Sequence, residues 1–139
     1  MRNIRPLRTI MRYESTDWSL EVPESGSHES DDGCTTFEYP QGVGVFQVSS
    51  CRKDEAVTDD DLREFAGEIP LAAVSFRRVS GFRTRLREDD TFWTNRWLRA
   101  GQQMIHVLYN CSLEDRGRED AEVTSMIESL TAEYDTNAA

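Results

Sequence analysis

LAAVSFRRVSGFRTRLREDDTFWTNRWLRAGQQMIHVLYNC, residues 71–111, is the stretch that decides the fold. Its apolar, β-branched and aromatic residues fall in short runs parted by turn-forming pairs at Ser80-Gly81, Asp89-Asp90 and Ala100-Gly101. Such runs read as strands joined by tight turns, so four consecutive antiparallel strands, a β-meander, are expected from Leu71 to Cys111. A two-residue turn at Asp89-Asp90 sets Glu88 against Thr91, Arg87 against Phe92, Arg85 against Thr94 and Arg83 against Arg96. That register sorts the side chains. One face takes Phe82, Leu86, Trp93 and Trp97, and the other takes Arg83, Arg85, Arg87 and Arg96 with Phe92. A two-residue turn at Ala100-Gly101 extends the aromatic face through Met104, His106 and Leu108 and puts His106 opposite Asn95.

Upstream of the meander, Thr58 followed by Asp59, Asp60 and Asp61 starts a helix, a capping hydroxyl followed by carboxylates where the helix dipole favours negative charge. Its apolar stripe is Leu62, Phe65, Ala66 and Ile69, and Pro70 limits it. Val45 to Ser50 carries apolar residues at both parities, as a strand covered on both faces does, and Cys34 to Tyr39 forms another strand stopped by Pro40. Glu24 to Gly33 is rich in Ser, Gly, Asp and Glu and is expected as an exposed loop. Before it, Trp18, Leu20 and Val22 alternate with Asp17, Ser19 and Glu21 in the period-two pattern of a half-buried strand, ended by Pro23. Downstream, Val123, Met126, Ile127, Leu130 and Tyr134 mark one face of a helix from about Glu119 to Glu133.

The order implies an α+β domain: an antiparallel sheet of about six or seven strands, ending in the four-strand meander, with helices packed on it. The single domain is expected over residues 15–134, with a basic N-terminal segment over 1–14 (Arg2, Arg5, Arg8, Arg12) whose order is undecided, and a frayed tail over 135–139. A chain of 139 residues is enough for one core. It contains no apolar run long enough to span a membrane and no secretory h-region, and its three cysteines are odd in number and widely spaced, so a cytoplasmic protein with free thiols is expected, a Cys34–Cys51 disulfide being the lesser alternative. A net charge of −10 argues against nucleic acid as the main ligand.

In its order of elements the chain resembles the PsbP-like fold group, which includes the photosystem II extrinsic protein and a Ran-binding nuclear-import factor. The residues that carry the resemblance are Trp18 and Pro23, Thr91 to Trp97, His106 to Cys111, and the closing helix from Val123 to Leu130. It implies an α/β/α sandwich and a binding or assembly role in a small bacterial relative, and it carries over no functional residues.

No catalytic residues, metal ligands or cofactor site are read from the sequence. His28 and His106 lack a Cys or His partner at zinc-binding spacing. Three constellations remain. Arg83, Arg85, Arg87 and Arg96 either pair with the acidic helix through Asp59, Asp60, Asp61, Glu64 and Glu68, or form a docking face for an acidic protein or a phosphate-bearing ligand. Glu29, Asp31 and Asp32 are either solubilising charge or a surface that neutralises a cationic partner, as toxin-blocking immunity proteins do. Trp93, Trp97 and His106 are either core, with His106 satisfied by a neighbour, or the lining of a small-ligand or catalytic pocket that Cys51 or Cys111 could join as a thiol activated by His106. The leading expectation is a non-enzymatic protein-binding or assembly domain.

Overall fold

The computed structural model describes residues 10–24, 27–31, 33–38, 43–67 and 71–132. Along the chain these form β1 (Ile10–Glu14), β2 (Trp18–Pro23), β3 (Ser27–Asp31), β4 (Cys34–Glu38), β5 (Gly44–Arg52), α1 (Asp59–Ala66), β6 (Ala72–Ser75), β7 (Ser80–Glu88), β8 (Thr91–Ala100), β9 (Gln103–Ser112), α2 (Asp120–Glu128) and β10 (Thr131–Ala132). The strands make a seven-stranded sheet in the order β3-β4-β5-β9-β8-β7-β6 and a three-stranded sheet in the order β1-β2-β10. All neighbouring pairs are antiparallel. The α+β class, the seven-stranded sheet and the closing meander β6 to β9 agree with the sequence reading.

The large sheet is covered on both faces. On one, Phe46, Val48, Leu98, Ile105 and Val107 meet Trp18, Leu20 and Val22 of β2 and Val123, Met126 and Ile127 of α2 to form the main core. Each such aliphatic side chain, once buried, contributes roughly 1.5–3 kcal/mol. On the other face a smaller cluster joins Leu62 and Ala66 of α1, with Val57, to Phe82 and Trp97. Gly81 lets this helix approach: a Cβ there would collide with the Trp97 carbonyl oxygen and press on Leu62 Cδ1. The helix opens with a reciprocal Thr58–Asp61 capping box and closes at Gly67, whose φ is +82°.

Several local expectations are corrected. The segment read as a loop contains β3, whose five residues are all exposed. An edge strand buried on neither face needs no apolar alternation, so its sequence carries no strand pattern. Asp31 pairs with Cys34, and Gly33 takes the positive φ of the connection. Ser80-Gly81 is not a turn but the start of β7. The reversal lies at Phe76–Val79, where Phe76 N–H donates to the Val79 carbonyl oxygen and Arg77 N–H donates to Glu128 of α2. The last hairpin turns at Gly101-Gln102, because Gly101 supplies the positive φ, so His106 faces Trp97 and not Asn95. Moving that turn by one residue shifts the register by two, which keeps every side chain on its expected face. Phe65, assigned to the buried stripe of α1, is 61% exposed, since the helix packs through Leu62 and Ala66. The final helix stops at Glu128, and Thr131–Ala132 pair with β2. Ile10–Glu14, left undecided, form β1 beside β2. Tyr39, Pro40, Glu68, Ile69, Pro70 and Tyr134 lie outside the described residues, as do residues 1–9 and 135–139.

Candidate functional site

The β7–β8 register agrees with the sequence reading residue for residue: Arg83 faces Arg96, Arg85 faces Thr94 and Arg87 faces Phe92. The surroundings of that stripe differ from expectation. The arginine face is also the face that holds the main core, since Arg96 stands in the same row of β8 as Leu98 and Ala100 and lies opposite Val107 on β9. Depth is graded along the stripe. Arg85 and Arg87 are exposed, Arg83 is half-buried and Arg96 is 9% exposed.

Pairing with the acidic first helix is overturned, because α1 sits on the opposite face. Its three aspartates are engaged there: Asp59 with Arg99 at 2.7 Å, Asp60 with Arg63 at 2.9 Å and Asp61 with Lys53 at 2.9 Å. Among the described residues none of Arg83, Arg85, Arg87 and Arg96 forms an ion pair. Arg96 Nε and Nη1 are buried and meet no hydrogen-bond acceptor. Burial, followed by the charges of Arg83 and Arg85, lowers the Arg96 pKa to about 10, with Asp120 at the start of α2 acting the other way. Like charges directly opposite each other on neighbouring strands destabilise a sheet, so this arrangement is costly as it stands. The sequence shows the stripe but not the depth of Arg96, which only its row-mates Leu98 and Ala100 could have hinted at.

Of the aromatic constellation, Trp97 and His106 pack directly against each other. Trp97 is buried and stacks on His106 at 5.5 Å between ring centroids, and His106 Nε2 is 2.9 Å from Asn95 Oδ1. Burial holds the His106 pKa below its usual value. Trp93 is half-buried four positions from Trp97 on β8, where Leu86 opposite is exposed. A surface hollow of about 380 Å³ on the α1 side lies instead among Cys51, Lys53, Val57, Phe65 and Met104. Cys111 points to the main core, on the sheet face opposite His106, and so cannot be activated by it. All three cysteines are free, and burial is the largest cause raising the pKa of each, so their thiols stay protonated at neutral pH.

Glu29 and Asp31 are exposed on β3, at one edge of the sheet, while the arginine stripe lies toward the other. The structure therefore keeps the acidic and basic candidates apart. Asp32 lies outside the described residues.

The layers define the PsbP-like fold, two helices and a small sheet packed against a seven-stranded antiparallel sheet. Among solved structures the chain is similar to cyanobacterial PsbP (CyanoP) from Synechocystis, with a TM-score of 0.51, 9% identity, and coverage of 95% of this chain and 97% of that one. It is also similar to a protein from Bacteroides thetaiotaomicron, with a TM-score of 0.65 and 16% identity over 86% of this chain. It spans 46% of the Bacteroides chain, so it corresponds to less than half of that protein. At these identities the likeness is one of fold. No protein-family model matches the chain, and no curated protein matches it in sequence. Among the described residues no helix is long and apolar enough to cross a membrane.

Proposed function

We propose that this chain is a non-enzymatic protein-binding domain of the cytoplasm that docks an acidic segment of a partner protein on the stripe Arg83, Arg85, Arg87 and Arg96. The observation that carries the reading is the stripe itself: four guanidinium groups on one sheet face without an ion pair among the described residues, in a protein with a net charge of −10. Carboxylates are abundant in this chain, yet among the described residues none pairs with these arginines, whose planar forks suit a carboxylate from outside. The protonated free thiols and the hydrogen-bonded, ring-stacked His106 favour binding over nucleophilic chemistry.

The test is affinity capture of the tagged full chain at low and at physiological salt, in parallel with the variant Arg83→Glu/Arg85→Glu. Arg85 is exposed and Arg83 only half-buried, so the variant should fold. A stoichiometric partner that is acidic where it binds, elutes with salt and is lost from the variant supports the reading. A partner retained equally by the variant removes the stripe from the interface, and salt-sensitive retention would move the contact to Glu29 and Asp31.

A further inference from the structure

The depth gradient along the stripe converges on Arg96. Arg83 lies directly across from it, where paired residues are about 4.5–5.5 Å apart, and Arg85 is the diagonal neighbour at roughly 7–8 Å. Val107 flanks Arg96 on its other side, and the first turn of α2 supplies the charge nearest in effect, Asp120, which is exposed and makes no ion pair with it. The preceding carboxylate, Glu119, is occupied by the Tyr109 hydroxyl, which donates to it at 2.5 Å. A buried guanidinium with two unsatisfied nitrogens is therefore left beside two more cations.

We infer that Arg83, Arg85 and Arg96 form a socket for one tetrahedral, doubly charged oxyanion, a phosphate group, with Arg96 at its floor and Arg85 at its mouth. The inference rests on the docking reading for where the ligand comes from, but not for its chemistry. A single carboxylate presents one edge to one guanidinium fork. A phosphate monoester carries about −1.5 to −2 charges and three strong acceptor oxygens, which several forks can share. It also offsets the mutual repulsion of the three cations, which a neutral ligand cannot do. Free phosphate and a phosphorylated side chain on the docked partner share this chemistry.

The measurement is thermal unfolding of the full chain at fixed ionic strength, with inorganic phosphate exchanged for chloride. It is followed by titration with an acidic peptide carrying phosphoserine and with the same peptide carrying serine. A ligand at many times its dissociation constant should raise Tm by at least about 2 °C. That shift should vanish in Arg83→Gln/Arg85→Gln, whose own Tm in chloride shows that it folds. Phosphopeptide binding at least tenfold tighter than both free phosphate and the serine peptide assigns the anion to the partner's side chain. Equal affinity for phosphopeptide and free phosphate assigns the socket to the free anion. No shift with phosphate, or the same shift in the double variant, overturns the socket. A phosphate shift alongside an empty protein capture would retain the socket and sink the docking reading, and the reverse pair of results would do the opposite.

Discussion

Arg96 occupies a row on β8, Thr94, Arg96, Leu98 and Ala100, in which every residue is buried, so its charge is held where an apolar side chain would pack. Desolvation and the neighbouring guanidinium groups both act against the charged form. Replacing a buried charge by an apolar residue of similar length is often neutral or stabilising. Arg96→Met is accordingly expected to stabilise the ligand-free protein, by about 1 kcal/mol or more, read as a higher urea midpoint at unchanged slope. Arg83→Met, at a half-exposed position, should gain less. Raising the salt concentration should shrink the Arg83 gain more than the Arg96 gain, because screening weakens repulsion but leaves desolvation in place. A destabilised Arg96→Met protein would mean that the guanidinium has a partner in solution, and the socket would lose its rationale.

At the scale of elements, what the sequence could show depended on burial. Strands that pack into a core, such as β2, β8 and β9, carried their pattern in the chain, and the Asp89-Asp90 turn fixed the β7–β8 pairing because Glu88 and Thr91 close on it directly. β3 carried no pattern because neither face is buried, and β10 is two residues long, defined only by its pairing with β2. The face on which α1 packs was equally illegible, since its acidic surface suits the arginine stripe as well as it suits Lys53, Arg63 and Arg99. Gly81 and the Phe82–Trp97 pair decided it. This helix is held by a small cluster and by its cap, which predicts local opening. Thr58→Ala removes the hydroxyl that accepts from Asp61 N–H, a loss of about 1 kcal/mol. Amide exchange over Leu62–Ala66 should then quicken roughly fivefold while β8 and β9 keep their protection. Equal quickening in the strands would show that α1 opens only with the whole fold.

For the molecule as a whole, a seven-stranded sheet that does not close on itself must manage two edges. One edge is β6, only four residues long and followed at once by the Phe76–Val79 reversal. The other is β3, which presents an outward row of backbone donors and acceptors over five exposed residues and bears Glu29 and Asp31 two positions apart. When two copies approach edge to edge, these carboxylates set like charge against like, a common way for natural sheets to block pairing between molecules. The acidic surface on β3 is thus explained by the sheet's own topology, while the arginine stripe, set in from the opposite edge, has no such explanation. The consequence is measurable. Glu29→Val/Asp31→Val leaves both sheet faces and the stripe intact but removes the repulsion and raises strand propensity. It should self-associate more than the parent, increasingly with concentration in sedimentation velocity. If the variant sediments as the parent does at every concentration, the acidic edge is not what keeps copies apart, and Glu29 and Asp31 return as candidates for contact with a cationic partner.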